Sequence, residues 1–255
     1  MSTTDFLPIP NLFEMKRILC VQPHPDDNDI GCGGAIARLA SSGAEIIYLT
    51  MTDGGAGTSR TDGTDTDCKR QNLAVCRRTE QSAALDALGL KSPKLLWFDE
   101  PDGYLKADFI LRDRLIRTIR RLQPDCILTV DPASPYEIHG DHRATGVLAA
   151  QAAYFASYPA IAPQSDFPIH EVNAIGFYFT PYPNTFIDIS SVWEAKLTAI
   201  QCHRSQFGSE TWPQYAAFFE MQSREWGQRG ECDRAEALKV LTPLHLHCFP
   251  EAHRC

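Results

Sequence analysis

Two short segments of the chain concentrate ionisable side chains that could activate water. The first is His24-Pro25-Asp26-Asp27, and the second is His139-Gly140-Asp141-His142. Zn²⁺ binds histidine nitrogen and carboxylate oxygen, and a catalytic zinc site keeps three protein ligands and one position for water. Two histidines and one carboxylate would satisfy that requirement. A free carboxylate could take a proton from the water, and a histidine could stabilise an oxyanion or protonate a leaving nitrogen. These residue types therefore predict amide hydrolysis, without assigning a role to each group.

Other interpretations of the same residues remain open at this point. Asp27 and Asp141 could simply cap the helices that follow them. Two histidines and a carboxylate also form the facial triad of non-haem Fe(II) oxygenases. A sugar-binding module without catalysis is a further alternative. It predicts that Asp26→Ala leaves function intact, whereas a hydrolase predicts a rate loss of about 10²–10⁴.

The elements around these segments alternate between strand and helix. Short apolar runs predict strands, and longer runs with a period near 3.6 residues predict helices between them. A parallel sheet with helices on both faces and right-handed crossovers follows from this order. Because ligands bind outside the carboxyl ends of such strands, both segments fall where a site is expected. The predicted strands of this part of the chain cover residues 17–21, 44–50, 94–98 and 126–130. After the first strand a helix is predicted at residues 31–40, with its glycines at the start, and after the second a loop is predicted at residues 53–67.

The second half of the chain is less regular. Strands are predicted at residues 174–180 and 185–189, and helices at 190–203 and 212–226. No linker and no repeat interrupts the pattern. We therefore expect one domain over residues 1–255, of the α/β class, with a Rossmann-like, mostly parallel sheet and a C-terminal extension of that sheet.

Composition excludes several partners. The formal net charge of −8 disfavours nucleic acid and anionic membrane surfaces, since both are bound through Lys and Arg. No apolar stretch approaches the ~20 residues that span a bilayer, and we expect no signal peptide. The nine cysteines include no CxxC pair and do not indicate a disulfide framework. A cytoplasmic location is expected.

The two segments, in this order, resemble a known family. His24-Pro25-Asp26-Asp27 with its flanking Pro23, the following Gly31-Cys32-Gly33-Gly34, and His139-Gly140-Asp141-His142-Arg143 are similar to the PIG-L/LmbE-type zinc N-acetylglucosaminyl deacetylases. The resemblance covers most of the chain. Further segments are most similar to the diacetylchitobiose deacetylase branch: Met51-Thr52-Asp53-Gly54, Asp131-Pro132 through Pro135-Tyr136-Glu137, and Lys196 with His203-Arg204-Ser205-Gln206-Phe207.

The resemblance implies how the catalytic work is divided. His24, Asp27 and His142 would bind one Zn²⁺ per chain. Asp26 would act as general base and later as general acid. His139 would stabilise the oxyanion, and Asp141 would orient the ring of His139.

Three further residues are candidates for contact with substrate. The resemblance implies that Arg77 lies in the substrate pocket and that Asp102 accepts hydrogen bonds from sugar hydroxyls. His247 would line the pocket of its own or of a neighbouring subunit. The alternatives are an ion pair of Arg77 on the helix surface, a turn position for Asp102, and a polar tail for His247. Like the resembling branch, the chain is expected to form a homo-oligomer.

Two positions depart from the family pattern. Asp29 stands where the family often has Glu, so its reach into the loop would differ. Glu137 stands where some members carry a Tyr that assists the oxyanion. The expected reaction is removal of the acetyl group of N-acetylglucosamine or of a short chito-oligosaccharide such as diacetylchitobiose, releasing acetate. An N-acetylated antibiotic precursor or a thiol-linked glucosaminide is the alternative substrate.

Overall fold

The architecture is taken from a computed structural model that describes residues 6–57, 66–91 and 93–255. Within those residues the strands are β1 (Arg17–Gln22), β2 (Glu45–Thr52), β3 (Lys94–Glu100), β4 (Cys126–Val130), β5 (Ala174–Tyr178), β6 (Thr185–Asp188) and β7 (Ala235–Leu241). The α-helices are α1 (Asp27–Ser41), α2 (Thr66–Ala87), α3 (Phe109–Leu122), α4 (Gly140–Phe155), α5 (Trp193–Cys202) and α6 (Trp212–Arg229). Most of the loop predicted at residues 53–67 lies outside the described residues.

These strands form one mixed sheet in the order β3-β2-β1-β4-β5-β7-β6. The first five strands pair in parallel, and β7 runs antiparallel to both β5 and β6. The prediction of a mostly parallel α/β sheet with a C-terminal extension is confirmed. The chain leaves β1 towards β2 on one side and later returns to pair β4 on the other, so the strand order reverses at β1 and β4. That reversal is where such sheets bind ligands.

Each face of the sheet is covered by its own helices. Successive side chains of a strand point to opposite faces, and both faces of β1 are apolar. Ile18 and Cys20 pack with α1, α2, α5 and α6, whereas Leu19 and Val21 pack with α3 and α4. The two apolar layers hold β1 and β4 rigidly in the centre. Among the described residues, no helix is both long enough and apolar enough to cross a membrane.

The helix after β1 differs from the prediction. It begins at Asp27 rather than near Gly31, and it is kinked at Cys32, whose φ and ψ are −151° and 23°. The kink frees the backbone N–H groups of Gly34 and Ala35, which donate to the Glu236 carboxylate of β7 at 3.0 and 2.6 Å. A side chain at Gly34 would come within 2.7 Å of Ile189. The glycines therefore serve close packing inside the helix rather than its start.

Candidate active site

Two loops at the same edge of the sheet carry the predicted chemistry. The first loop connects β1 to α1 and holds His24 and Asp26, and Asp27 is the first residue of α1. The second loop follows β4, and its last residue, His139, is the N-cap of α4. Since β1 and β4 are parallel neighbours, their carboxyl ends lie side by side and the two loops meet.

His24, Asp27 and His142 form a compact group of potential metal ligands. Nδ1 of His24 is 3.2 Å from Oδ2 of Asp27, and Nε2 of His142 is 3.4 Å from Oδ1 of the same carboxylate. One ligand atom from each residue lies within 4.8 Å of the other two. Two imidazoles facing the two oxygens of one buried carboxylate are a donor set that suits a divalent metal. The side chains present therefore fit a metal ion.

The second ring nitrogen of His24 is held by two carboxylates. Its Nε2 lies 3.1 Å from Oδ2 of Asp141 and 3.2 Å from Oδ1 of Asp102. Asp141 in turn accepts hydrogen bonds from the backbone N–H groups of Gly103 at 2.7 Å and Leu105 at 3.0 Å. These partners oppose the effect of burial and lower the pKa of Asp141. The ring orientation of His24 is thereby determined from outside the ligand group.

This geometry corrects the expectation that Asp141 orients His139. The carboxylate of Asp141 is buried and contacts His24, whereas only the backbone N–H of Asp141 reaches Nδ1 of His139, at 3.3 Å. The reason is helix geometry: His139 caps the helix with its own ring, so the next side chains diverge, and Asp141 points inward to the loop after β3. Asp141 is therefore a partner of a potential ligand, the position that the carboxylate has in a carboxylate–histidine–metal triad.

A second group of potential ligands overlaps the first. One atom each of His24, Asp102, His139 and Asp141 also lies within 4.8 Å of the others. Asp141 accepts backbone hydrogen bonds on both of its oxygens, and Asp102 accepts one from Ala56 at 2.8 Å. Asp27 also accepts one, on Oδ2 from the N–H of His24 at 2.9 Å, but its Oδ1 faces His142. The group with Asp27 and His142 therefore has the smaller share of its carboxylate oxygens occupied by backbone donors.

Glu137 connects the two histidines of the second segment. Its Oε2 lies 3.0 Å from Nδ1 of His142, and its Oε1 accepts the backbone N–H of His139 at 2.7 Å. From the sequence, Glu137 was notable only as a departure from the family pattern. Glu137 lies five residues before His142, and this short spacing was the sign in the sequence that the two side chains could be in contact.

Asp26 lies beside the ligand group in an unusual backbone conformation. Its φ is 133° and its ψ is −28°, a region that non-glycine residues seldom occupy and that is typical of functional positions. Burial raises the pKa of Asp26 to about 6; the charge of Asp27 also raises it, and Arg77 opposes both. A buried carboxylate with a raised pKa suits a group that exchanges protons.

Arg77 holds the loop that carries Asp26. Its guanidinium lies 3.2 Å from Oδ1 of Asp26 and donates to the carbonyl oxygens of Pro25 at 2.7 Å and Gly54 at 3.1 Å. With 2% of its surface exposed, Arg77 is not part of an ion pair on the helix surface. Glu80, three residues further along the helix, accepts instead from the backbone N–H and the hydroxyl of Ser205.

His139, the third histidine of the site, favours the uncharged form of its ring. Burial lowers the pKa of His139, and the neighbouring His24 and His142 lower it further. Because Nδ1 accepts the N–H of Asp141, the proton of the neutral ring is on Nε2. His139 is exposed at the mouth of the site, so this N–H is available to a ligand.

A buried polar network lies below the loop and was not foreseen. Asp29 accepts from Tyr48 Oη at 2.9 Å and Gln81 Nε2 at 2.8 Å, and it lies 2.8 Å from Nε2 of His203. Burial lowers the pKa of His203, but the hydrogen bond with Asp29 outweighs it and raises that pKa. The shorter carboxylate at position 29 thus supports α1 from beneath.

His247 does not join the cluster of its own chain. Its ring packs against Tyr154, with centroids 5.2 Å apart, near the C-terminal end of α4. Tyr154 is twelve residues along the helix from His142, which corresponds to about 18 Å. A role for His247 in its own subunit is therefore not supported.

Comparison with known proteins agrees with this geometry. Residues 19–153 match the family model PIG-L, described as GlcNAc-PI de-N-acetylase. The diacetylchitobiose deacetylase of Thermococcus kodakarensis is 35% identical over 99% of this chain and 93% of its own. The crystal structure of N,N'-diacetylchitobiose deacetylase from Pyrococcus horikoshii superposes with a TM-score of 0.87 at 35% identity, covering 95% of this chain and 90% of that one.

A third relative has a different named activity. The structure of 4-carboxy-2-hydroxymuconate hydratase from Pseudomonas putida KT2440 superposes with a TM-score of 0.72 at 28% identity, covering 90% of this chain and 97% of that one. The same architecture is therefore found in a hydratase as well as in deacetylases.

Proposed function

The chain belongs to the PIG-L family of GlcNAc-PI de-N-acetylases, and from that premise we propose that it hydrolyses the N-acetyl group of N,N'-diacetylchitobiose or N-acetylglucosamine, releasing acetate. The observation that carries the proposal is the pairing of one compact ligand group with one buried, unliganded carboxylate. His24, Asp27 and His142 form the group, and Asp26 lies beside it with a raised pKa. A metal that activates water and a carboxylate that transfers its protons are together sufficient for metal-assisted hydrolysis of an amide.

We propose zinc as the metal, one per chain, held by His24, Asp27 and His142. Two imidazoles and one carboxylate are three protein ligands, the number that catalytic zinc sites use, and they leave a position open. Zinc bound there would lower the pKa of a water to about 7 and would polarise the acetyl carbonyl. The contacts of Asp141 and Asp102 with Nε2 of His24 hold the ring in an orientation that leaves Nδ1 on the side of Asp27.

Asp26 is proposed to move the protons. As a carboxylate it takes the proton of the attacking water, and as a carboxylic acid it returns that proton to the amide nitrogen, which leaves as the free amine. A pKa of about 6 places both protonation states within reach near neutral pH. Arg77 fixes the position of Asp26 through its contacts with Pro25 and Gly54.

His139 is proposed to stabilise the oxyanion. Its Nε2–H is available because Nδ1 accepts a backbone N–H, and its lowered pKa keeps the ring neutral. A preorganised donor of this kind acts where charge develops in the transition state. Arg77 and Asp102, on the β2–β3 side of the cluster, are proposed to lie nearest the sugar hydroxyls.

A hydratase is the second candidate, and one observation favours it: the similarity to the Pseudomonas putida hydratase. The same base and the same activated water could add to a carbon–carbon double bond. The two reactions differ in their products, since only hydrolysis releases acetate. A deacetylase acting on an N-acetylated antibiotic precursor or a thiol-linked glucosaminide would also release acetate.

Acetate release from a panel of substrates tests these alternatives. Zinc-loaded protein is offered N,N'-diacetylchitobiose, N-acetylglucosamine, an N-acetylated glycopeptide precursor and a thiol-linked N-acetylglucosaminide, and 4-carboxy-2-hydroxymuconate is followed by absorbance. We expect the highest kcat/KM with one of the first two sugars. Removal of zinc by a chelator should abolish the reaction, and added zinc should restore it. Turnover of the muconate without acetate release from any sugar would establish the hydratase instead.

We also propose that the chain forms a homo-oligomer and lies in the cytoplasm. Large apolar side chains are exposed around the mouth of the site, which supports an interface there: Tyr104, Phe109, Ile110, Tyr136 and Ile138. His247 would then act in a neighbouring subunit. Eight of the nine cysteines, those whose side chains the structure describes, are free thiols, which supports a reducing compartment. Sedimentation velocity of wild type and of Ile138→Asp tests the interface; a monomeric wild type would contradict it.

A further inference from the structure

A cavity of about 350 Å³ opens next to the metal-ligand group, on the side of the sheet extension. It lies between the carboxyl end of β5, the start of β7 and helix α6. This volume is in the range of small-molecule sites. Its wall includes Ser134, Phe179, Thr180, Gln222, Trp226 and Ala237.

Phe179 lines this cavity and also packs beside His142 of the ligand group. Its ring lies parallel to that of His142, with centroids 6.4 Å apart and an interplanar angle of 10°. The φ of Phe179 is 57°, in the left-handed region that costs strain for an aromatic residue. Ser134 provides a second connection, because it belongs to the loop whose Glu137 contacts His142. The cavity and the catalytic cluster are thus neighbouring compartments of one cleft.

The wall of the cavity suits an uncharged, polar ring. Lys196 and Glu236 are its charged groups, and they pair with each other. Phe179 and Trp226 contribute aromatic surface, which packs well against the C–H face of a sugar. Within the described part of the chain, the side-chain amide of Gln222 has no hydrogen-bond partner, so it is free to bind hydroxyl or acetamido groups.

The direction of the substrate follows from sugar chemistry. In an N-acetylated hexosamine the acetamido group is on C2, with C1 on one side of it and C3 on the other. Arg77 and Asp102 lie towards β2 and β3, whereas the cavity lies towards β5 and β7. If the C3 and C4 hydroxyls face Arg77 and Asp102, then the group attached to C1 faces the cavity.

We propose that this cavity is the binding subsite for the second sugar ring, the one joined to C1 of the residue that loses its acetyl group. This inference rests on the proposed function, because it takes the acetamido group to lie at the ligand group. It makes the cavity the part of the protein that distinguishes a disaccharide from a monosaccharide.

The test compares one sugar ring with two. Acetate release is measured for wild type, Gln222→Ala and Gln222→Trp with N,N'-diacetylchitobiose and with N-acetylglucosamine. Gln228→Ala is the matched control, since Gln228 is an exposed glutamine of the same helix. For the disaccharide we expect kcat/KM to fall about tenfold in Gln222→Ala, as for one lost hydrogen bond, and further in Gln222→Trp, which fills the cavity. For N-acetylglucosamine both variants should stay within about twofold of wild type.

The outcomes are separable. A loss confined to the disaccharide supports the subsite. Equal values for both sugars in every variant, or equal losses on both, would overturn the subsite while leaving the deacetylase activity established. A wild type that releases no acetate from either sugar would overturn the proposed function, and the subsite with it.

Discussion

At the scale of the residue, His24 is the best-determined group of the site. Both its ring nitrogens are engaged, Nδ1 towards Asp27 and Nε2 towards Asp141 and Asp102. Of these carboxylates, Asp141 is anchored by two backbone N–H groups and is almost completely buried. A histidine whose second nitrogen is held in this way loses little conformational freedom when its first nitrogen binds a metal. Asp141 should therefore contribute to the affinity for the metal.

Asp141→Asn should therefore weaken metal binding. The amide cannot accept from two N–H groups and from His24 at once, so the ring of His24 loses its support. We expect zinc affinity to fall about 10- to 100-fold. Competition with a chelator of known affinity measures the effect, and Asp166→Asn, a change at an exposed carboxylate, is the control. Unchanged affinity together with a reduced kcat would restore the earlier expectation that Asp141 serves His139.

His139→Ala should behave in the opposite manner. His139 lies outside the preferred ligand group and offers its Nε2–H towards the open site. Loss of one such donor costs about 10²–10³ in kcat. Zinc content, measured by atomic absorption on the same preparation, should equal that of wild type. A protein that loses zinc together with activity would place His139 among the ligands.

The identity of these residues could be predicted from sequence, but their pairing could not. His24, Asp26, Asp27, His139 and His142 were recognisable as a set because they follow two strands. The contact of Asp141 with His24 joins positions 117 residues apart, and that of His203 with Asp29 joins positions 174 residues apart. Such contacts depend on how loops and helices diverge in space, and no local pattern encodes them.

At the scale of the element, β7 supports α1 through one buried ion pair. Glu236 of β7 accepts from Gly34 and Ala35 and pairs with Lys196 of α5. Lys196 also donates to the carbonyl of Ile30 at 2.8 Å. The kinked helix that begins with the proposed ligand Asp27 is thus held by the C-terminal extension of the sheet.

Replacing Glu236 should therefore cost more than replacing Lys196. Glu236→Leu leaves a buried ammonium without its counter-ion and two backbone N–H groups without an acceptor, and we expect a loss of about 3–5 kcal/mol in the free energy of unfolding. Lys196→Met leaves a carboxylate that keeps both N–H donors, so its loss should be smaller. Urea denaturation compares both with Glu225→Leu, an exposed control on α6. A larger loss for Lys196→Met would contradict this account.

The ion pair of Glu236 with Lys196 explains why β7 was not predicted from the sequence. Its sequence, AEALKVL, carries Glu236 and Lys239 in a run that is buried at every position. Charged residues normally argue against a buried strand. Here Glu236 finds Lys196, and Lys239 donates to the carbonyl of Cys255 at 2.6 Å. The charged residues of β1 to β6 lie at or beside the strand ends and are at least partly exposed, and these strands were predicted from the sequence.

The attachment of α6 to the start of β7 should depend on pH. Hydrogen bonds from Arg234 are the main cause of the lowered pKa of Glu220, with Arg224 adding to it. A group with a depressed folded pKa stabilises the protein above its unfolded pKa and loses that effect as pH falls through the folded value. Glu220→Gln should cost less than about 1 kcal/mol at pH 7, since the pair is partly exposed.

Denaturation of wild type and Glu220→Gln across a pH series measures this linkage. The difference between them should shrink as pH falls below about 4.5 and vanish in stronger acid. A difference that stays constant over the series would mean that the carboxylate acts by packing alone.

At the scale of the whole molecule, function follows from the point where the strand order reverses. β1 and β4 bring one loop each to that point, and two apolar layers hold the strands in place. Arg77 and Asp102 lie on one flank of the cluster, and the cavity at β5 and β7 lies on the other. The sequence predicted the α/β class and the edge that carries the site, because both depend on local periodicity. The cavity is built partly from β7, a strand that the sequence did not predict, and so the cavity was not predicted either.

The central claim is that the protein hydrolyses the N-acetyl group of a sugar. In this reaction Asp26 transfers the protons beside a metal held by His24, Asp27 and His142. The most direct test measures acetate and free amine released from N,N'-diacetylchitobiose by wild type and by Asp26→Asn, at equal and verified zinc content. We predict that wild type releases the two products in equal amounts, and that Asp26→Asn is about 10²–10⁴-fold slower. No acetate from the zinc-loaded wild type, or an undiminished rate in Asp26→Asn, would contradict the account.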